Sequence, residues 1–203
     1  NIREECLRIH TVGQDCCVGK MLAAIELTNA MKARGHDAKF VASGQTGIMI
    51  EGDGVPIDCV VADFVNGAIE KQILAHQHHD MLFIEGQGSL AHPKYSAVTM
   101  GLLHGCAPHG MVMCYEAARP ATHGMEYVPL TPLAKLVEVY EMMANLMGPS
   151  KVIGVAMNSR RLNDEQAEAE REKVRAELGM PVCDVIRHGS DDLVEAILAM
   201  RPQ

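Results

Sequence analysis

The residues with the most distinctive chemistry form a glycine-containing loop near the start of the chain. Residues 13–21 read GQDCCVGKM, which follows the phosphate-binding pattern G-x-x-x-x-G-K-[ST] with one additional residue between the glycines. Lys20 would place a positive charge beside a bound phosphate, whereas Met21 occupies the position of the magnesium-binding hydroxyl. The spacing therefore predicts a phosphate-bearing ligand and omits the usual hydroxyl ligand of magnesium.

The segments on either side of this loop are those that a phosphate-binding loop needs. Leu7–Val12 has the composition of a short apolar strand, and the apolar spacing over Lys20–Arg34 predicts an amphipathic helix. A loop between a strand and a helix N-terminus offers free backbone N–H groups and the positive end of the helix dipole to an anion. The alternative is a plain glycine turn before a helix. The predicted cofactor-binding residues of the loop are Gly13, Gln14, Asp15, Cys16, Cys17, Val18, Gly19, Lys20 and Met21.

Strand and helix patterns alternate along the rest of the chain. Further strands are predicted at 38–42, 81–85, 111–115, 151–157 and 181–185, and further helices at 66–76, 96–104, 131–147, 164–178 and 191–200. Such alternation is typical of parallel βαβ units. We therefore predict an α/β fold of the P-loop NTPase type, with a doubly wound, mainly parallel sheet, helices on both faces, and one domain over residues 1–203.

The fold prediction selects the loops that would carry the site, because ligands of such sheets bind at the carboxyl ends of the strands. These loops are residues 13–20, 43–54, 85–95, 116–128 and 158–163.

Composition narrows the classes of function. The 203 residues carry a formal net charge of −8 with neutral His, and the chain is 48% hydrophobic but only 3% aromatic. The acidic balance argues against nucleic-acid binding, which needs a basic face, and no apolar run approaches the roughly 20 residues of a membrane span. Seven cysteines without a C-x-x-C pair are typical of reduced thiols in a cytoplasmic protein. We also expect a homo-oligomer, because several apolar helices must be covered.

A carboxylate followed by glycines ends the third predicted strand. Glu85 precedes Gly86-Gln87-Gly88-Ser89, and His92 follows in the same loop. A carboxylate at a strand tip can hold a metal ion or orient a water molecule near phosphates, and the alternative is an acid that caps a helix. Asp63 is a candidate second carboxylate for magnesium, with a simple helix N-cap as an equal alternative. The predicted metal ligands are Glu85 and Asp63.

Polar side chains in the other loops are candidates for substrate binding. Residues 43–47 (SGQTG) follow the second strand, where glycines let a ligand approach the backbone, although a tight turn uses the same residues. Arg119 follows the fourth strand and can hold an anionic substrate in a bidentate fork. Asn158 ends the fifth strand, where an amide can read a purine edge. The substrate candidates from these loops are Ser43, Gln45, Thr46, Gln87, Ser89 and Arg119.

Two families resemble the chain in these motifs, and the first is dethiobiotin synthetase with its cobyrinic acid synthase relatives. Its expanded loop, G-T-D-x-x-V-G-K-T, is matched at Gly13, Asp15, Val18, Gly19 and Lys20, and its K-P-V-x-x-G, V-E-G-x-G and strand-ending Asn resemble residues 39–44, 84–88 and 156–158. This resemblance implies magnesium at Glu85, phosphate and substrate contacts by Lys20 and Lys39, and adenine contacts by Asn158.

The second resemblance covers nearly the whole chain. The segments V-G-x-D-C-x-V-G-K-M, F-V-A-[ST]-G-Q-T-G-I-M-I, V-A-D-F-V-x-G-A, E-G-Q-G-S-L-x-H-P-x-Y-S and G-L-L-H-G are all present. They are similar to the P-loop domain of a bacterial and archaeal family, some of whose members are D-glutamate N-acetyltransferases. In that family a Met after the loop lysine is usual. Its members usually carry an additional N-terminal Rossmann-like domain, which we expect to be absent from a chain that begins at Asn1.

The resemblances imply three functional hypotheses. The leading one is an N-acetyltransferase that moves acetyl from acetyl-CoA to the amino group of an acidic D-amino acid, with the loop holding the cofactor phosphates and Glu85, Asp15 or His92 as the base. The second is an ATP- and magnesium-dependent carboxylate–amine ligase, and the third is a non-catalytic nucleotide-binding module. Met21 favours the first. The predicted catalytic residues are Lys20, Glu85, Asp15 and His92.

Overall fold

A single six-stranded sheet forms the centre of the molecule in the computed structural model, which describes residues 2–201; residues 1, 202 and 203 of the predicted domain lie outside the described residues. The strands are β1 (Leu7–Gly13), β2 (Ala38–Val41), β3 (Met81–Ile84), β4 (Gly110–Glu116), β5 (Lys151–Asn158) and β6 (Val182–Cys183). Their order is β2-β3-β1-β4-β5-β6, and each neighbouring pair is parallel. The predicted α/β class with a mainly parallel sheet is confirmed.

Helices cover both faces of this sheet. They are α1 (Lys20–Ala33), α2 (Gln45–Glu51), α3 (Val65–His76), α4 (Ser96–Cys106), α5 (Leu133–Ala144), α6 (Asp164–Leu178) and α7 (Asp191–Leu198). Apolar side chains of α1 and α7 form one buried cluster with the sheet, and those of α3, α4, α5 and α6 form two others. This is the doubly wound arrangement that the sequence predicts. None of the described helices is long and apolar enough to cross a membrane.

The segment that differs most from its prediction follows β2. The sequence predicts a loop over residues 43–54, but Gln45–Glu51 forms the helix α2, so that prediction is wrong. The helix is only seven residues long, contains Gly47 and leaves Met49 and Ile50 exposed, so it lacks the apolar period of a helix that covers a core. Its start is held by a tertiary contact, because the Glu85 carboxylate accepts hydrogen bonds at this point of the chain.

The predicted helix over 131–147 is longer than the observed α5. Pro132 is the N-cap residue, so the helix begins at Leu133. At the other end the Asn145 side chain donates to the carbonyl oxygens of Glu141 and Ser150, at 2.7 and 2.8 Å. This amide satisfies a terminal helix carbonyl and turns the chain toward β5, so the apolar residues after 144 lie outside the helix.

Helices α3 and α4 approach each other closely because glycines face the contact. A Cβ atom on Gly101 would lie 2.5 Å from Val65 Cγ1, and one on Gly105 would lie 2.0 Å from Ile69 Cγ2. Real side chains do not approach to these distances, so α4 can hold this position only with glycine at both sites. The packing in turn fixes the start of α4, which follows the loop that carries Glu85.

We predict opposite effects of alanine at two helical glycines of this pair. Gly105→Ala should lower the free energy of unfolding by about 1–3 kcal/mol through overpacking. Gly67→Ala should raise it by up to about 1 kcal/mol, because Gly67 is exposed in α3 and a Cβ there meets no atom within 4 Å. Urea unfolding of the two variants measures both values, and a loss of stability in Gly67→Ala equal to that in Gly105→Ala would contradict the packing argument.

Candidate functional site

The phosphate-loop motif lies between β1 and α1, at the carboxyl end of the strand that has β3 on one side and β4 on the other. Gly19 is the N-cap residue of α1 with φ +106°, and no side chain caps the first turn of that helix. Cys17 also has a positive φ, +55°, which a non-glycine residue adopts only when its surroundings hold it there. The first N–H groups of α1 are therefore left for an anion.

Lys20 is buried beside this loop. Its Nζ atom donates to the Asp15 carbonyl oxygen at 2.7 Å, which is its one hydrogen bond among the described residues, and an ammonium group has three donors. A Cβ on Gly13 would lie 2.9 Å from this Nζ, so the first glycine of the motif makes room for the lysine. Burial lowers the pKa of Lys20. A buried, under-satisfied cation at the end of a helix fits a phosphate group.

An ion-pair network of buried side chains holds the outer side of the loop. The Arg119 guanidinium donates to Asp15 Oδ2 at 2.7 Å and to the carbonyl oxygens of Cys16 and Cys17 at 2.8 and 3.1 Å. In a trans peptide the N–H points away from the preceding C=O. Because Arg119 draws these two carbonyls to one side, the N–H groups of Cys17 and Val18 point to the other.

Asp15 is engaged on both of its oxygens. Oδ1 accepts the Cys16 N–H and Oδ2 accepts the His123 N–H, each at 2.7 Å, in addition to the bond from Arg119. The carboxylate and the guanidinium are almost completely buried. Asp15 therefore fixes the shape of the loop and links it to the segment after β4.

Glu116, at the end of β4, accepts hydrogen bonds from three arginines. Arg119 Nε and Arg160 Nε each lie 2.8 Å from its oxygens, and Arg161 Nε lies 2.5 Å away. Burial alone would raise the pKa of Glu116, but the hydrogen bonds from Arg160, Arg119 and Arg161 outweigh it and hold the pKa at about 2. The carboxylate therefore stays charged and anchors the arginines around the loop.

His92 is buried against Asp15 and has both ring nitrogens engaged. Nδ1 accepts the Lys94 N–H at 3.1 Å, which leaves Nε2 as the protonated nitrogen, 3.1 Å from the His123 carbonyl oxygen. Asp15, Cys16 and His92 have potential metal-ligand atoms within 4.8 Å of one another. Asp15 already accepts three hydrogen bonds and both ring nitrogens of His92 are engaged, so a metal ion at this cluster would have to displace existing bonds.

Glu85, directly after β3, lies at the start of α2. Its Oε2 atom accepts the N–H groups of Ser43 and Gly44, the two residues directly before α2, at 2.8 and 2.9 Å. Burial raises the pKa of Glu85, against the opposing effect of these two hydrogen bonds and of Lys20. Gly86 passes so close to β1 that a Cβ would lie 1.7 Å from the Thr11 carbonyl oxygen. The glycine therefore lets the Glu85 segment lie against Lys20.

A cavity of about 650 Å³ opens between the loop and the Glu85 segment. Of the predicted site residues, those that line it are Cys16, Cys17, Val18, Gly19, Lys20, Met21, Glu85, Gln87 and Asn158. Asp58 and Arg160 also line it, although neither was predicted as a site residue. Asp58 lies in a short 3-10 turn (Ile57–Cys59) without a motif. Arg160 lies in the predicted site loop 158–163 but matches no motif. Asp63 is exposed and is not among the lining residues.

An adjoining cavity of about 370 Å³ lies between the start of α1 and the ends of β5 and β6. Its apolar lining comes from Val18, Leu22, Met157, Val185 and Ile186, and Asn158 stands at its edge. The apolar surface beside a phosphate loop has the character of a site for a flat, largely apolar ring.

The other predicted substrate residues lie outside the large cavity. Lys39 Nζ pairs with Glu51 Oε1 at 2.5 Å, and Ser43 Oγ donates to the Glu85 carbonyl oxygen at 2.7 Å. Gln45 and Thr46 are exposed on the first turn of α2. Ser89 is buried and accepts the Ala91 N–H at 3.2 Å.

Two predicted site residues near the loop, Arg119 and Gln14, also point elsewhere, whereas Asn158 lines both cavities. Arg119 is committed to the network around Asp15 and Glu116. Gln14 donates to the Thr131 carbonyl oxygen at 2.9 Å. Asn158 accepts the Arg160 N–H at 3.2 Å through Oδ1, which leaves its amide N–H groups beside the apolar cavity.

The parallel sheet, the loop and the buried lysine together define a P-loop protein of the α/β class. Solved structures with this fold include cobyrinic acid a,c-diamide synthase from Mycobacterium smegmatis with bound ADP and magnesium (TM-score 0.56, 12% identity, 96% of this chain and 94% of that chain). A nucleotide-binding protein from Archaeoglobus fulgidus in complex with ADP is another (TM-score 0.58, 13% identity, 97% and 92%). At these identities the likeness shows the fold alone.

The chain belongs to the family described as "Domain of unknown function (DUF1611_C) P-loop domain", whose model matches residues 1–194. A crystal structure of a family protein from Anabaena variabilis has a TM-score of 0.93 and 39% identity, over 96% of this chain and 58% of that chain.

Two curated relatives are both named D-glutamate N-acetyltransferase. The one from Tritonibacter scottomollicae is 40% identical over 194 residues, which is 95% of this chain and 58% of the relative. The one from Pseudoalteromonas is 38% identical over 188 residues, which is 92% of this chain and 57% of the relative. The chain thus spans little more than half the length of the relatives it matches.

We predict that Arg119→Lys destabilises the protein although it keeps the charge. A lysine cannot reproduce the planar fork that contacts Asp15 and two loop carbonyls, and we expect a loss of about 1–3 kcal/mol in unfolding free energy. Arg161→Lys is the matched control, because Arg161 contacts Glu116 but is half exposed, and it should lose less than about 1 kcal/mol. Urea unfolding measures both, and equal losses would contradict the role given to Arg119.

We also predict a pH dependence of stability that Glu116 contributes. A carboxyl group whose pKa falls from 4.5 to about 2 on folding stabilises the protein above pH 4.5 and loses this effect as the pH drops toward 2. At about 1.4 kcal/mol per unit the shift is at most about 3 kcal/mol, and screening of the half-exposed Arg160 and Arg161 reduces it to about 1–2 kcal/mol. Between pH 5 and 2.5 the wild type should lose that much more unfolding free energy than Glu116→Gln. If the unfolding free energies of the two proteins changed with pH in parallel, the predicted contribution of Glu116 would be refuted.

Proposed function

We propose that this chain is the cofactor-binding domain of an amino-acid N-acetyltransferase of the D-glutamate type. The reaction would transfer acetyl from acetyl-CoA to the amino group of an acidic D-amino acid. The observation that carries the proposal is the 40% and 38% identity, over 95% and 92% of this chain, to two relatives named D-glutamate N-acetyltransferase. Because the chain spans 58% and 57% of those relatives, the activity of the whole protein is part of the proposal.

The loop and its cavities suit the phosphates and the base of coenzyme A. The diphosphate would lie on the N–H groups of the loop with Lys20 as its counter-charge, since that buried ammonium group has unused donors. The adenine ring would enter the apolar cavity beside Asn158. When bound, acetyl-CoA supplies an acetyl thioester that an amine can attack with loss of a thiolate.

Glu85 is the base that the geometry favours. The amino group of the substrate must give up a proton before it can attack, and burial raises the pKa of Glu85, which makes its carboxylate a stronger base than an exposed one. Glu85 lines the large cavity together with Lys20 and Gln87. The two other candidates, Asp15 and His92, have the relevant atoms engaged in hydrogen bonds to the loop and its neighbours.

An ATP- and magnesium-dependent ligase is the second candidate. Its supporting observation is that Glu85 lines the same cavity as Lys20, where a carboxylate could hold magnesium next to phosphates. Against it, Met21 offers no hydroxyl, and Asp63 is exposed away from the lining residues. Asp58 would have to take the place of the second carboxylate.

A homo-oligomeric state and a cytoplasmic location stay predictions from the sequence.

The first test is calorimetric titration of acetyl-CoA, and separately of ATP with magnesium, into the wild type and Lys20→Ala. Loss of a charge-assisted phosphate contact should weaken acetyl-CoA binding by about 10- to 100-fold. Lys39→Ala is the control, because Lys39 is paired with Glu51 and does not line the cavity, and its affinity should match the wild type. Circular dichroism checks that the variants are folded.

The activity test is acetylation of D-glutamate by the full-length protein, in which the release of the coenzyme A thiol is measured. Binding of ATP with magnesium that depends on Lys20, together with no binding of acetyl-CoA, would favour the ligase instead. Release of thiol without an acetylated acidic D-amino acid among the products would contradict the proposed substrate.

A further inference from the structure

The two cavities beside the phosphate loop share a border. The residues that line both are Val18, Gly19, Leu22, Asn158 and Arg160. A nucleotide with its phosphates on the loop and its base in the apolar cavity has its ribose at this border, because the ribose joins the two. Of the shared residues only Arg160 carries a charge, so it is the ionic side chain that lines both the cavity at the loop and the cavity for the base.

Arg160 is oriented by the protein and yet reaches solvent. Its Nε and Nη2 atoms donate to the two oxygens of Glu116, at 2.8 and 3.1 Å, and 59% of its side chain is exposed. Within residues 2–201 its Nη1 atom has no hydrogen-bond partner. A guanidinium that is held on one edge and open on the other is arranged to receive an anion.

The surroundings of Arg160 are rich in charged side chains. Three arginines, Arg119, Arg160 and Arg161, share the single carboxylate of Glu116, and Asp15 neutralises one more charge through Arg119. These arginines line a third cavity of about 240 Å³ on the other side of Arg160, which the exposed Glu126 also borders. The three arginines thus face two buried carboxylates, those of Asp15 and Glu116, and the exposed Glu126 brings the negative charges of the cluster to three.

We propose that Arg160 is a specificity-determining residue that binds a phosphate on the ribose of the cofactor. This feature separates coenzyme A, which carries a 3′-phosphate, from ADP and ATP, which carry a free 3′-hydroxyl. The inference rests on the proposed function in taking coenzyme A as the ligand. It goes beyond that function by assigning the choice between the two cofactor classes to one side chain outside the phosphate loop.

The experiment compares coenzyme A with 3′-dephospho-coenzyme A, which differs only in this phosphate. Both are titrated calorimetrically into the full chain as wild type, Arg160→Ala, Arg160→Gln and Arg161→Ala. Arg160→Gln keeps a donor for Glu116 without the charge, so it guards against a folding defect in the alanine variant. Arg161→Ala is the matched control, because it removes another Glu116 contact but leaves the border of the two cavities intact.

We expect the wild type to bind coenzyme A about 10- to 100-fold more tightly than the dephospho form, the range for a charge-assisted hydrogen bond. In both Arg160 variants this ratio should fall close to one, while the affinity for the dephospho form changes little. Arg161→Ala should keep the wild-type ratio.

Equal affinity of the wild type for the two ligands would overturn the inference and leave the proposed function standing. The same holds if the preference survives in Arg160→Gln and Arg160→Ala. Failure of the wild type to bind either ligand would overturn both.

Discussion

The buried ion pair between Asp15 and Arg119 is the interaction on which the shape of the phosphate loop depends. A loop that exposes several N–H groups to one point must turn its carbonyl oxygens elsewhere, and those oxygens need donors. Arg119 supplies donors for Cys16 and Cys17, so the left-handed conformation of Cys17 is held from outside the loop. The direct substrate contact that the sequence suggested for Arg119 stays a prediction, and a substrate would have to compete with these hydrogen bonds.

The sheet order explains why this interaction is available. With β1 between β3 and β4, the loop after β1 meets the Glu85 segment on one side and the Glu116–His123 segment on the other. The carboxylate after β3 and the carboxylate that ends β4 thus have opposite surroundings. Glu85 is buried with few charges and holds a raised pKa, whereas Glu116 is buried among arginines and holds a lowered one. One is suited to exchanging a proton and the other to staying charged.

Local sequence predicted the elements whose ends are marked by local interactions. The predicted helix over 164–178 matches α6 because Asn163 and Gln166 form a capping box and Gly179 closes the other end. The loop motif likewise identified Lys20, because the residues that define the motif are consecutive in the sequence. Helix α2 and Asp58 escaped prediction because contacts distant in sequence place them. Glu85 holds the start of α2, and the Ile57 N–H donates to the Ser43 carbonyl oxygen, which positions the turn that carries Asp58. The network of Arg119 with Asp15 and Glu116 spans more than a hundred residues, and no local pattern encodes it.

The close fit between Glu85 and α2 also couples the residue types that follow two neighbouring strands of this chain. A Cβ on Gly47 would lie 2.4 Å from Glu85 Oε2, and one on Gly44 would lie 2.6 Å from Gln87 Nε2. A larger residue at either position would therefore displace the end of the acidic or amide side chain opposite it. A shorter residue at position 85 would release the constraint at Gly47, whereas a side chain at position 47 would push the Glu85 carboxylate away from the N–H groups of Ser43 and Gly44. The residue type that fits in the helix after β2 thus depends on the residue type that follows the neighbouring strand β3.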